Sequence, residues 1–304
     1  MAMNVESKTA IITGAGSGIN FCFAALLLSK GCNVVIADLA LRPEAEELVQ
    51  KYSSDSKESK SKAIFQKTDV TEWGQLDKVF EVATEKFGGA DIVCPGAGVY
   101  EPPFSNFWHP PGSPPSVDKT SESRYKLLDI NITHPIRTTQ IAIAHFLSRN
   151  KPGVVIHISS VAGQVPFFPT PMYVASKHAI SGFVRSLARL EFPTPDIPKV
   201  RVSAVAPGLI RTPLWTDHPE KMKFIPDEED AGWVTPEFVA EVMLSLIEKE
   251  EYPGGTILEV GKGVREVAAF NDPGPRSGGN SVKRVEQKEL ESDIWASLEQ
   301  QHRK

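Results

Sequence analysis

The chain of 304 residues has only three cysteines, Cys22, Cys32 and Cys94. That is too few for a disulfide scaffold or a spaced metal site, so no bound metal is expected. Each cysteine lies inside an apolar run and reads as a small buried hydrophobe. Long apolar stretches are absent too: runs such as Cys22 to Leu28 fall far short of the ~18–20 residues of a membrane helix. There is no dense basic segment, and 33 Lys+Arg against 38 Asp+Glu leave a formal net charge of −5. An acidic balance of this kind argues against a nucleic-acid phosphate footprint. The first residues, Met1-Ala2-Met3-Asn4-Val5-Glu6, lack the basic and apolar regions of a signal peptide, and a reducing, cytoplasmic compartment is expected. Proline is nearly absent from the first third, where only Pro43 falls within residues 1–94, yet seven of the 24 prolines fall within residues 95–115. A uniformly disordered or collagen-like chain is excluded, because the first third is punctuated like packed secondary structure.

What is present is a regular alternation. Short apolar runs at Lys8–Thr13, Asn33–Ala37, Ala63–Gln66, Asp91–Cys94, Gly153–Ile158, Val200–Val205 and Thr256–Val260 read as buried strands. Helical patterns lie between them at Ile19–Ser29, Pro43–Tyr52, Trp73–Phe87, Arg124–Ser148 and Met172–Leu190. Ser53–Lys62 carries no apolar residue and reads as a solvated loop. This order predicts an α/β fold: a single doubly wound, Rossmann-type domain of about seven parallel strands with helices on both faces. The domain is expected over residues 1–263, with a proline-rich insertion at about 100–120 and a C-terminal extension over 264–304. One sequon, Asn131-Ile132-Thr133, is discounted because the Asn is expected to be buried.

Thr13-Gly14-Ala15-Gly16-Ser17-Gly18-Ile19 joins the first strand to the first helix. Glycines there let the backbone approach a pyrophosphate that the helix N-terminus stabilises. Asp38 ends the second strand 20 residues after Gly18, with Leu39 beside it. A carboxylate in that place bonds the adenosine ribose hydroxyls and repels a 2′-phosphate, so NAD is predicted rather than NADP. A turn cap is the alternative role for Asp38, and Arg42 lies past the position expected to hold a 2′-phosphate. Tyr173-Val174-Ala175-Ser176-Lys177 puts a phenol and an ammonium on one helix face, where the cation is expected to lower the phenol pKa. Ser159-Ser160 ends the fifth strand, and Asn131 lies in the helix before it.

Thr13-Gly14-x-x-x-Gly18-Ile19, Asp69-Val70, Gly96-Ala97-Gly98, Asn131, Ser160, Tyr173/Lys177 and Pro207-Gly208-x-x-x-Thr212 follow one another over about residues 7–262. In that order they resemble the short-chain dehydrogenases/reductases. Lys8–Ile19 and Pro171–Leu187 look most like the branch of NAD-dependent 15-hydroxyprostaglandin dehydrogenases. The resemblance implies that Tyr173 is the general base and that Lys177 lowers its pKa and holds the nicotinamide ribose. Ser160 would hold the reacting oxygen, and Asn131 a water in a proton relay. Asp69 and Val70 would flank adenine, Gly96, Ala97 and Gly98 would line the cofactor cleft, and Pro207, Gly208, Ile210 and Thr212 would position the nicotinamide. Local alternatives exist: Ser160 as a strand-end cap, Asn131 satisfying buried groups within its helix, Thr212 as an N-cap.

Three departures stand out. Asn20 occupies the place of the family's third loop glycine, and Pro95-Gly96 replaces the side-chain amides that follow the fourth strand. Thr170 replaces a glutamine three residues before the catalytic tyrosine of prostaglandin dehydrogenases, so that substrate is not transferred. Ser17 and Asn20 also reject the glycine spacing of the epimerase branch. Substrate-side candidates are Ser160, Gln164, Phe167, Phe168, Thr170, Tyr173 and, in a covering segment at 213–234, Trp215 and Phe224. Tyr100, Phe104, Phe107 and Trp108 are candidates to roof the same cleft. The activity expected is NAD-dependent oxidation of a hydrophobic or bulky secondary alcohol to a ketone. A biosynthetic ketoreductase and a catalytically idle NAD-binding protein are the alternatives. A homodimer or homotetramer through about 124–148 and 172–190 is implied by the resemblance; Ile180, Phe183, Val184 and Leu187 there also suit a core. In the extension, Val285–Gln301 reads as a charged helix carrying Leu290, Ile294, Trp295 and Leu298.

Overall fold

Ile11 and Ile12 are both wholly buried, on opposite faces of one strand. That double burial is the mark of a parallel sheet covered on both sides. In the computed structural model the strands are β1 (Thr9–Thr13), β2 (Asn33–Asp38), β3 (Ala63–Lys67), β4 (Ile92–Pro95), β5 (Gly153–Ile158), β6 (Val200–Pro207), β7 (Ile257–Val260) and β8 (Val264–Glu266). The helices are α1 (Gly18–Ser29), α2 (Pro43–Lys51), α3 (Trp73–Phe87), α4 (Lys126–Leu128), α5 (His134–Ser148), α6 (Pro171–Ser186), α7 (Pro213–Thr216) and α8 (Pro236–Glu248). The structure describes residues 1–53, 59–217, 233–269 and positions 292, 295–296 and 298–300 of a helical segment.

The sheet order is β3-β2-β1-β4-β5-β6-β7-β8. β1 through β7 run parallel, as expected. β8, which falls in the sequence assigned to the extension, is antiparallel to β7. Among the described residues the strand count is therefore eight. β8 escapes sequence detection because its three residues are all exposed and carry no apolar alternation. Phe23 and Leu27 of α1 and Met243 and Ile247 of α8 pack with Ile12, Ile36 and Ile156 on one face. Val79 and Phe80 of α3, Phe146 of α5 and Ile180 and Val184 of α6 pack with Ile11, Val93 and Val202 on the other. Ile180 and Val184 are thus core residues. Since β1 is flanked by β2 and β4, successive crossovers leave it in opposite directions, and a crevice opens at the carboxyl ends there.

Other expectations shift locally. The helix expected from Arg124 begins at Lys126 and carries a π turn over Asp129–Thr133. The one expected to Leu190 ends at Ser186, and a 3₁₀ turn, Ala188–Glu191, follows. Cys32 and Cys94 are buried but Cys22 is only half-buried, with its thiol 3.5 Å from Glu237 Oε1. Asn131 is buried, as expected. Trp295 and Leu298 are half-buried, and Glu299 accepts a hydrogen bond from Thr194. Leu290, Ile294 and Phe224 lie outside the described residues.

At the amino end of β6, away from the crevice, Arg201 is completely buried. Its Nε and Nη2 donate to Glu191 Oε1 at 3.1 and 2.8 Å, and its Nη1 donates to the carbonyls of Leu246 and Lys249. Glu191 also accepts from the amino group of Met1 and the N–H of Gly254. Burial alone would raise the Glu191 pKa, but the bonds from Arg201, the amino group and Gly254 outweigh it and hold the carboxyl below the ordinary glutamate range. A depressed folded pKa contributes stability above the unfolded value, ~4.3, which is lost as pH falls through the folded value. Removing one partner strands the other charge, so Glu191→Ala is expected to cost about 3–5 kcal/mol of unfolding free energy at neutral pH. In denaturant titrations the gap to wild type should close as pH falls below ~4.

Candidate active site

The crevice is a cavity of about 750 Å³. Its floor is the loop after β1. Gly14 has φ +71°, and a Cβ there would lie 2.7 Å from Ala97 Cα, so only glycine lets this loop meet the one after β4. Gly14, Ser17, Gly18 and Ile19 line the cavity, with the N-terminus of α1 behind them. Gly16, grouped with them from the sequence, does not line it. Its N–H donates to Asp38 Oδ2 at 2.8 Å, and a Cβ there would meet Ala40 O at 2.3 Å. Gly16 instead lets the loop lie against the end of β2.

Asp38 and Leu39 line the cavity. Asp38 Oδ1 accepts from Leu39 N–H at 2.7 Å, so each carboxylate oxygen takes one backbone bond and keeps acceptor capacity for a ligand. Asp38 thus takes the turn-cap role and still presents acceptor capacity to the cavity. Arg42 does not line the cavity; it pairs with Asp217. Asp69 and Val70 line the next stretch. Burial opposes ionisation of Asp69, but bonds from Thr71 and the Lys126 ammonium hold its pKa below the usual value. Gly96, Ala97 and Gly98 face them. The buried Asn20 side chain fills the space that a side chain at 96 would take, since a Cβ at Gly96 would lie 2.3 Å from Asn20 Oδ1. The missing loop glycine and the missing amide after β4 are thus a matched exchange.

Ser160, at the end of β5, lines the cavity. Its Oγ accepts from Ala162 N–H at 3.2 Å, capping a 3₁₀ turn, and donates to Pro207 O at 3.4 Å. It lies close enough to the phenol of Tyr173 to favour its ionised form. Pro171 opens α6, which puts Tyr173 in the first turn and Lys177 one turn on. Lys177 Nζ lies 5.4 Å from the Tyr173 ring centroid and donates to Ile158 O at 2.9 Å. Burial pushes the Tyr173 pKa up to about 12, against the lowering effect of Ser160, and Tyr100 adds to the rise. Burial pulls Lys177 down to about 8. The expectation that the ammonium depresses the phenol pKa is therefore corrected for the protein alone: desolvation wins.

Asn131 does not line the cavity. Its Nδ2 donates to Val99 O at 2.9 Å and Ser176 Oγ at 3.2 Å, and its Oδ1 accepts from Val99 N–H at 2.9 Å. Both amide donors are occupied, so the side chain clamps the loop after β4 to α6 instead of satisfying groups in its own helix. Pro207, Gly208, Ile210 and Thr212 line the far wall. Thr212 occupies the N-cap position of α7, as the alternative reading had it, but makes no side-chain cap bond there.

On the substrate side, Phe167, Thr170 and Trp215 line the cavity, with Tyr100 and Phe104. Gln164 does not; its Oε1 accepts from Arg265 on β8 at 3.2 Å. Phe107, Trp108 and Phe168 also stay outside the lining; Trp108 packs edge-on against Phe107 at 4.9 Å and tilted against Phe168 at 4.8 Å. Tyr100 contacts the rings of Tyr173 at 4.6 Å and Trp215 at 5.0 Å, so an aromatic row runs from the phenol to α7. Sequence reasoning missed how the insertion is held. Ser105 Oγ donates to Asp118 Oδ2 and accepts from Leu127 N–H, and Asp118 Oδ1 accepts from Lys126 N–H. Glu101 was missed as well. Its only sequence signal is a charge between an aromatic residue and two prolines.

Residues 8–223 match the family model described as short chain dehydrogenase. The human 15-hydroxyprostaglandin dehydrogenase [NAD(+)] is 30% identical over 276 residues, covering 86% of this chain and 94% of that protein. The 3beta-hydroxysteroid dehydrogenase 1 of Eggerthella lenta is 31% identical over 211 residues, covering 69% and 74% respectively. Among solved structures, 3-ketoacyl-(acyl-carrier-protein) reductase of Brucella melitensis, complexed with NADH, superposes with a TM-score of 0.66 at 24% identity. The match covers 85% of this chain and 98% of that one, and shares the fold. With the glycine-lined crevice and the Ser160–Tyr173–Lys177 group in place, the matched model shows that the chain belongs to the short chain dehydrogenase family of oxidoreductases.

Proposed function

We propose that this protein is an NAD-dependent dehydrogenase that oxidises a hydrophobic or bulky secondary alcohol to a ketone. The observation that carries the reading is the position of Tyr173: it lies between the Ser160 hydroxyl and an aromatic wall of Tyr100, Phe104, Phe167 and Trp215, on one cavity with the glycine loop. The glycine loop that lines the cavity at the N-terminus of α1 and the free acceptor capacity of Asp38 fit a dinucleotide without a 2′-phosphate. Bound NAD supplies the hydride acceptor and a positively charged ring. Ser160 holds the alcohol oxygen, and Tyr173 as phenolate takes its proton while the carbinol hydrogen leaves with its electron pair. Lys177 holds the ribose and keeps a positive charge near the phenol. Asn131 keeps the Val99 loop and α6 in register around them. The two relatives carry names that refer to a hydroxyl group on a prostaglandin and on a steroid, which supports a lipid-like alcohol; Thr170 argues against prostaglandin itself.

A second reading, ketone reduction by NADH, draws on one observation: a phenol with a pKa near 12 is protonated at neutral pH and suited to donate. Direction is separable by pH. A base must be deprotonated, so alcohol oxidation should rise with pH, whereas ketone reduction should fall.

A panel of aliphatic, aryl and steroidal secondary alcohols with NAD, followed by NADH absorbance, tests the reading; tight NADH binding with no turnover in either direction would leave an idle binding protein. Tyr173→Phe is expected to lower kcat by about 10²–10⁴-fold with NADH affinity retained. Asp38→Asn should erode the preference for NAD over NADP in kcat/KM by about tenfold, ~1.4 kcal/mol. The homodimer or homotetramer belongs to the same proposal. Ala175, Ala179, Gly182 and Ser186 form the exposed side of α6, and a monomer by sedimentation at micromolar concentration would remove it.

A further inference from the structure

The first turn of α6 carries Tyr173, and its backbone donors have an unusual destination. The helix's own N-cap residue, Thr170, makes no side-chain cap bond, and Pro171 has no N–H. Of the next two donors, Tyr173 N–H goes to the carboxylate of Glu101, 2.8 Å from Oε2, and Met172 N–H lies close enough to favour the charged form of the same carboxylate. Glu101 lies 72 residues earlier, at the start of the proline-rich insertion. Its other oxygen, Oε1, accepts from Phe107 N–H at 3.1 Å, and its carbonyl accepts from Asn106 Nδ2 at 3.0 Å.

Three features mark this carboxylate as built for the place. It is 5 % exposed, and burial raises its pKa, yet among the described residues it has no cationic partner; all its side-chain bonds come from main-chain N–H groups. A helix N-terminus stabilises a negative charge, which suits a carboxylate held there. Its backbone adopts φ +35°, a left-handed conformation that non-glycine residues hold only where the surroundings impose it. The neighbouring Tyr100 packs edge-on against the Tyr173 ring. Positions 100 and 101 thus grip both the ring and the peptide of Tyr173.

We propose that Glu101 is a positioning residue for Tyr173, tying the first turn of α6 to the insertion so that the substrate wall and the proton acceptor move as one body. The geometry needs two acceptor oxygens at this reach. Glutamine offers one acceptor and turns an NH₂ toward an N–H donor; aspartate is one methylene too short. The inference rests on Tyr173 as proton acceptor, and its test separates the two.

Hydrogen–deuterium exchange is measured on the NADH-bound protein for peptides covering 171–176 and 104–108, in wild type, Glu101→Ala and Glu101→Gln. Exchange should speed up at least about tenfold at both segments in Glu101→Ala, and at one of them in Glu101→Gln, with NADH affinity within about threefold of wild type. With any alcohol that the panel shows to be turned over, kcat should fall about 10–100-fold in Glu101→Ala, while the KM for NAD stays put. Unchanged protection of Tyr173, or lost protection with an unchanged kcat, would overturn the proposal; so would a lowered melting temperature as the sole effect. If Glu101→Ala does not fold, the Glu101→Gln comparison decides. If wild type oxidises no alcohol, the dehydrogenase reading fails by itself and the exchange data decide whether Glu101 holds α6.

Discussion

Everything in the site depends on how closely two loops approach where the sheet reverses its winding. Gly14 at the end of β1 rests against the backbone of Ala97 after β4, with no room for a methyl group. A network completes the junction. Thr13 Oγ1 accepts from Ala97 N–H at 3.2 Å and shares a hydrogen bond with His134 Nε2 at 3.0 Å. Burial pulls His134 down to about 4, so it stays neutral and serves as a linker between β1 and the start of α5. The cavity width, the direction of α1 and the position of the β4 loop all follow from this contact.

The Tyr173 side of the cavity is built outward from that junction by polar groups that leave the cavity to others. Asn131 joins Val99 to Ser176, and Glu101 joins the insertion to the amide of Tyr173. Neither Asn131 nor Glu101 lines the cavity. The groups that do line it are consequently desolvated, which raises the Tyr173 pKa and lowers that of Lys177. Both shifts disfavour charge.

The two ends of the sheet divide the labour. Buried charge at the amino end, Arg201 with Glu191, ties β6 to the turn after α6 and to the end of α8. The carboxyl end holds left-handed residues such as Gly14, Gly18 and Glu101 beside the cavity. Left-handed backbone occurs at the amino end too, at Ser7, Gly31, Asn150 and Gly255, so the cavity, not the backbone conformation, sets the carboxyl end apart.

Much of this was legible beforehand. Continuous apolar runs disclose seven strands and their sheet class, and residue type and spacing single out Gly14, Gly18, Asp38, Ser160 and Tyr173/Lys177, which line one cavity because each sits near a strand's carboxyl end. Gly16 and Gln164 were assigned to ligands by proximity in sequence, and turned out to face Asp38 and Arg265. β8 was invisible because three exposed residues carry no period. Asn20 and Gly96 each looked like a defect alone and make sense only as neighbours in space. By itself the sequence determined the winding of the sheet and the chemical types at its carboxyl edge, since local periodicity and loop chemistry suffice for both. Tertiary structure alone decided which polar groups face the ligand and which brace the walls, because that depends on partners such as Glu101 and Tyr173, brought together across 72 residues by packing that no local pattern encodes.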